Sequence, residues 1–188
     1  MSPIVKDAEK VLEGVVLRSG HGSKPKDDGK PVGCVMDVVS FIAGEPWSDH
    51  PECACPVVTR AAIAINDRIH DDALRTSILR PFILRIAGSK STKAVERKRM
   101  FKAADLAVRV FAPRALELRG RAEDAARLRA CAPIVDAATA RKGQKAAAAA
   151  YAYAAAAAAA YAYDADARSK VWAEFGAMLL SGMLDITE

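Results

Sequence analysis

The chain has 188 residues, 52% of them hydrophobic, and carries 28 Lys and Arg against 23 Asp and Glu for a net charge of +5. A chain of this length buries roughly 70% of the surface it exposes when unfolded, so it needs no disulfide or metal staple to hold a core. The mixture of both charge signs excludes the strong single-sign field of a polyelectrolyte binder, and much of the apolar content is alanine, whose methyl buries little area.

The opening, MSPIVKDAEKVLEGVVLRSG, lacks the apolar h-region of a secretory signal and predicts a cytoplasmic chain. In that reducing compartment Cys34, Cys53, Cys55 and Cys131 are expected as free thiols. After a short segment around Val11 to Leu17, the stretch SGHGSKPKDDGKPVG combines Gly, Pro and charge and reads as an exposed loop. CVMDVVSFIAG then reads as a buried helix, ended by Gly44. Beyond the connector GEPWSDHPECACP, the residues Val57, Val58, Ala61, Ala62, Ile65 and Ile69 recur at helical spacing and predict a helix running to about His70. Asp71 or Asp72 caps the next segment, in which Pro81 kinks a helix or begins a new one, and Gly88 stops it.

Ser91 or Thr92 caps KAVERKRMFKAADLAVRVFAP. Met100, Ala103, Ala104, Ala107, Val110 and Phe111 make its apolar stripe, and Lys98, Lys102, Asp105 and Arg109 its opposite face. A shorter helix, RAEDAARLRAC, follows Gly120. From Ile134 the chain enters KAAAAAYAYAAAAAAAYAYD, with an uncharged run over residues 146–163. Its length meets the test for a membrane span, but one methyl per residue gives weak transfer, and tyrosine prefers the membrane interface to its centre. Alanine is depleted in strands and is the best helix former, so the run reads as a long helix. Its small side chains let a neighbouring backbone approach closely, and Val171, Phe175, Met178 and Leu179 anchor its end. The expectation is an all-α fold: a compact helical bundle with a long alanine-rich C-terminal helix. It divides into a segment and loop over 1–33, a helical core over 34–132 and the alanine-rich helix with its anchor over 133–188.

Polar chemistry is concentrated in CVMDVVSFIAGEPWSDHPECACP, which holds Asp37, Glu45, Trp47, Asp49, His50, Glu52 and three cysteines. Asp49 and Glu52 have the spacing of a capping box, with Pro51 early in a helix and Trp47 as an apolar lid that packs on Phe41 or a neighbouring helix. On that reading the motif is a rigid corner. Alternatively, His50, Cys53 and Cys55 with Cys34 form a zinc set, although Cys-x-Cys is not the usual knuckle spacing, or Asp37, Glu45, Asp49 and His50 offer oxygen ligands to a hydrolytic metal. His21 and His70 are expected at the surface.

The pattern C-x-M-acid, six residues, then GEPWSDHP and a cysteine resembles that of a family of small proteins encoded by actinobacteria and their phages. The likeness continues through IND at Ile65 to Asp67, RPFILRIAGS at Arg80 to Ser89 and the alanine-rich tail. Family members usually carry Glu where this chain has Asp37 and mix Trp, Asp and Arg into the tail in place of tyrosine, and they often replace Cys55 by another small residue. The resemblance implies no activity.

Three functions remain open on the sequence. The first is a non-enzymatic phage or actinobacterial accessory protein acting through protein–protein interaction, self-associating through the alanine helix, with no cofactor and no membrane. The second is a nucleic-acid-binding helical protein using Lys98, Lys102 and Arg109. The third is a metal-dependent hydrolase or zinc site at GEPWSDHP.

Overall fold

The computed structural model describes residues 8–20, 22, 31–146 and 165–187. The fold is all-α. Helices α1 (Ala8–Glu13), α2 (Val35–Ile42), α3 (Pro56–Arg68), α4 (Asp72–Leu79), α5 (Ile83–Ala87), α6 (Lys93–Leu106), α7 (Ala112–Glu117) and α8 (Ala122–Arg129) follow in order. A helix α9 covers residues 137–146, and α10 spans Ala165–Leu184. The alanine–tyrosine residues 147–163, with the long helix expected there, and His21 lie outside the described residues.

The chain forms two compact units, residues 1–96 with 165–188 and residues 97–164, so the division falls within α6. The first unit is built around α2, whose Val35, Met36, Val38, Val39 and Ile42 are fully buried. A helix apolar all round belongs in a core, and α2 packs on α3 and α5 accordingly. On α3 the predicted stripe is present, with Val58, Ala62, Ile65 and Ile69 fully buried, and α10 lies against α3 and α4.

Helix α10 approaches α3 closely at Gly176, where a Cβ would stand 2.5 Å from Ile65 Cγ2. The expected anchor residues Phe175 and Leu179 are buried there, whereas Met178 is 39% exposed. Arg68 stacks its guanidinium 4.6 Å from the centroid of the Trp172 ring. Pro81 starts a 3-10 turn, Arg80–Phe82, that joins α4 to α5. The break expected at Pro81 follows from its missing amide hydrogen.

A correction concerns the N-terminal region, where no strand was expected. Val16–Leu17 (β1) and Val32–Gly33 (β2) pair in parallel, in register Val16↔Val32. Two residues per strand are too short to show alternation, so only the pairing geometry reveals them.

The second unit contains the α7–α8 hairpin, whose core is Ala112, Leu116, Ala125 and Leu128. Glu117 and Arg129 join the two helices through a two-pronged ion pair, which holds the Glu117 carboxyl below the usual carboxylate range. Between α6 and α7 the helix widens to a π-turn over Ala107–Phe111, with the Ala112 amide donating to the Ala107 carbonyl. Pro113 explains it: it has no N–H for the carbonyl four residues back, and its ring crowds that turn. The α6 stripe expected at Met100 is also corrected, since Met100 is 47% exposed while Arg99 and Leu106 are buried.

Candidate functional site

The polar stretch from Cys34 to Pro56 folds as a corner between α2 and α3, and Cys34, Asp37, Ser40, Glu45, Trp47 and Ser48 all turn their side chains to backbone groups. At its start Cys34 is the N-cap of α2: its Sγ accepts the Asp37 amide (3.4 Å), and Asp37 Oδ2 accepts the Cys34 amide (3.0 Å). The same oxygen accepts the Gly22 amide at 2.7 Å and so ties the segment after β1 to α2. Asp37 is fully buried, and room for its carboxylate comes from Gly33, where a Cβ would stand 2.5 Å from Oδ2.

Glu45 holds the other end of the corner. Its two carboxylate oxygens accept the amides of Glu52 (2.6 Å) and Cys53 (2.9 Å), closing the turn that precedes α3. Between these clamps, Trp47 packs edge-on to Phe41 with ring centroids 6.5 Å apart, and its Nε1 donates to the Gly22 carbonyl at 3.1 Å. Ser40 Oγ donates to the Asp37 carbonyl and accepts the Ser48 amide. Thus Trp47 is the lid expected, with its indole hydrogen satisfied as half-buried indoles require.

The expected capping role of Asp49 is overturned. Helix α3 begins at Pro56 with Cys55 at the N-cap and no side-chain cap, several residues beyond the Asp49-x-x-Glu52 spacing. Asp49 Oδ1 instead meets Nδ1 of the exposed His50 at 2.7 Å, and the amides of the turn go to Glu45. The capping-box spacing is realised fifteen residues earlier in the chain, by Cys34 and Asp37.

The zinc set is not assembled. Among the described residues, no group of three or more His, Cys, Asp or Glu side chains could hold a metal, so neither His50, Cys53, Cys55 and Cys34 nor the oxygen set converges. Burial pushes the Cys34 thiol up to about 12, and burial followed by the Glu45 charge pushes Cys53 up to about 12. Both thiols are therefore protonated at neutral pH, the opposite of what a thiolate ligand or nucleophile needs. Cys55 is buried, and its amide donates to Ser89 Oγ at 2.9 Å.

Three positioning residues carried weak sequence signals. Asn66, fully buried in the IND triplet, accepts the Val35 amide (3.1 Å) and donates to the Arg18 carbonyl (2.9 Å), joining α3 to α2 and to the residue after β1. Arg75 is 1% exposed and spends its guanidinium on the carbonyls of Asn66, Leu17, Ile69 and His70 and on Asp72. It thereby satisfies the C-terminal carbonyls of α3, where a cation also suits the helix dipole. A charged residue four before Leu79 on the buried face of α4 was the available clue. Ser89 latches the turn before α3 to the end of α5, donating to the Ile86 carbonyl.

The basic residues of the nucleic-acid reading do not form one free face. Lys98 is exposed and Lys102 half-buried, but Arg109 lies on the π-turn and pairs with Asp105 at 3.1 Å. Asp105 also accepts the Ile134 amide at 3.0 Å, so the pair braces the connection to α9.

A second candidate site lies wholly in the second unit. There α6 and α9 border an open groove of about 560 Å³, lined by Met100, Phe101, Ala137 and Ala140 together with Arg97 and Arg141. Asp136 and Gln144 complete the lining. No helix among the described residues is long and apolar enough to cross a membrane. The chain matches no protein-family model, no curated protein and no solved structure with which it was compared.

Proposed function

We propose that the protein acts without catalysis, as a cytoplasmic accessory factor of an actinobacterium or its phage, through protein–protein interaction that includes self-association. The observation that carries this reading is the open groove of α6 and α9, where Met100 stays 47% exposed among apolar neighbours. A partner seated in the groove would remove Met100 and the neighbouring Phe101, Ala137 and Ala140 from water. The corner at GEPWSDHP supports the same reading from the other side, because Asp37, Glu45, Trp47 and Ser40 are engaged in holding backbone and not in presenting a reactive group. The uncharged run over 146–163 supplies small side chains that permit a close approach between copies.

Sedimentation equilibrium of the full chain over a range of concentrations tests the self-association. Species heavier than the 20.0 kDa monomer are expected, and a monomer at every concentration would contradict it.

Nucleic-acid binding is the second reading, favoured by one observation. Residues 97–164 hold thirteen Lys and Arg against six Asp and Glu, a net +7, while the remaining residues hold fifteen against seventeen, a net −2. Such asymmetry attracts polyanions. Binding of duplex or single-stranded DNA that weakens steeply with salt would favour it over the first reading.

A further inference from the structure

We infer that the groove bordered by α6 and α9 is the docking site for an acidic amphipathic helix of a partner protein. This rests on the protein-interaction reading and names the chemistry of the partner.

Each side of the groove is one helical face. Arg97, Met100 and Phe101 on α6 stand at i, i+3 and i+4, and Ala137, Ala140 and Arg141 on α9 repeat that spacing. Two helical faces at one opening leave a place for the apolar side of a third helix, read by the same three- and four-residue repeat. Small alanines on one wall admit a backbone closely, and the unbranched Met100 adapts to the side chains that enter.

Charge then selects the partner. Arg97 and Arg141 are exposed beside the apolar lining, one from each helix, within a unit of net +7. Among the described lining residues the acid is Asp136, and its carboxylate is engaged in capping α9, accepting from the Thr139 amide (2.8 Å) and hydroxyl (2.7 Å). Asp136 offsets one of the two arginine charges, so the lining keeps a net positive charge, which suits carboxylates flanking an apolar stripe. A polyphosphate backbone finds cations there but gains nothing from Met100 and the alanine methyls. The chain's own run over 146–163 holds no charge to meet either arginine.

The test uses the full chain and a fluorescent designed helix with Leu and Ala on one face and Glu on the other, followed by anisotropy. Its controls are the same helix with every Glu replaced by Lys, a scrambled helix of identical composition, and a duplex DNA oligonucleotide. Saturable binding of the Glu helix is expected, weakened about tenfold or more by Arg97→Glu with Arg141→Glu and by Met100→Glu, in line with the cost of like charges brought together at an interface. All three positions are exposed, and circular dichroism checks that the variants keep their helix content.

Failure of the Glu helix to bind, equal binding of the scrambled or Lys helix, or equal binding by the variants would overturn the inference. So would arginine-dependent binding of the duplex alone. If Met100→Glu instead dissociates self-associated species, a second copy fills the groove: the inference falls while the interaction reading stands. A chain that is monomeric and binds no helix loses both.

Discussion

Asp37 and Gly33 show how one small residue makes room for one buried charge. The carboxylate accepts two backbone amides through Oδ2, and a methyl on Gly33 would press on that oxygen. Asp37→Ala is expected to cost about 1–3 kcal/mol, because the Cys34 and Gly22 amides lose their acceptor. Gly33→Ala is expected to cost about 1–3 kcal/mol by overpacking. Chemical denaturation of both variants measures this, and a Gly33→Ala protein as stable as the parent would mean that the carboxylate has room to move. The thiols make a pH prediction of definite sign. Cys34 and Cys53 are raised from 9.0 to about 12, chiefly by burial, so the folded chain keeps protons that the unfolded chain releases. Their contribution is intact below about pH 9 and falls as pH rises toward about 12. Alkaline denaturant titrations should show a shallower loss in a Cys34→Ala, Cys53→Ala variant than in the parent, and parallel losses would contradict the assignment. At the acid end the signs reverse. Asp136 is depressed by the Thr139 amide and hydroxyl and Glu117 by Arg129, so what each contributes is present above its ordinary pKa and is lost as pH falls through the lowered one.

Helix packing in this chain turns on where small residues fall. At Gly176 the approach of α10 to α3 leaves no space for a methyl beside the β-branched Ile65, whereas at Gly143 the nearest atom to an added Cβ is the terminal Cδ1 of Ile134, at 2.6 Å. Alanine gains about 0.8–1 kcal/mol of helix propensity over glycine at either site, but overpacking costs about 1–3 kcal/mol where neighbours cannot yield. Gly176→Ala should therefore lower the melting temperature and Gly143→Ala should change it less. Equal effects would place the tight contact elsewhere. The periodic stripes of α3 and α10 were legible in sequence because Val58, Ala62, Ile65 and Phe175 recur at helical spacing and are buried. The stripe of α6 was not, because periodicity registers an apolar face without saying whether anything covers it: Met100 and Phe101 line an open groove instead of a core. Asp49-x-x-Glu52 and Cys34-x-x-Asp37 share one spacing, yet only the second stands at a helix start. The first was the more familiar pattern, and cysteine is a rare N-cap. The roles of Asn66, Arg75 and Ser89 are not legible in the sequence because each acts on backbone atoms distant along the chain.

Across the whole molecule the chain's net charge of +5 conceals two units of opposite sign, −2 and +7. The average suggested a modest field, and only the division of the chain shows where the positive potential lies. The polar motif of the sequence belongs to the acidic unit and serves its architecture, while the exposed Met100 and the arginines of the groove belong to the basic one. This separation is the central claim, and thermal unfolding of Glu45→Ala beside Asp49→Ala and His50→Ala tests it most directly. Removing the Glu45 carboxylate strips two amides of the turn of their acceptor, a loss of about 1–2 kcal/mol that shifts the midpoint by several degrees. Asp49→Ala and His50→Ala break the exposed Asp49–His50 contact and should cost less than Glu45→Ala, exposed ion pairs contributing about 0–1 kcal/mol. A Glu45→Ala protein that melts like the parent, with Asp49→Ala or His50→Ala the damaging change, would contradict the account.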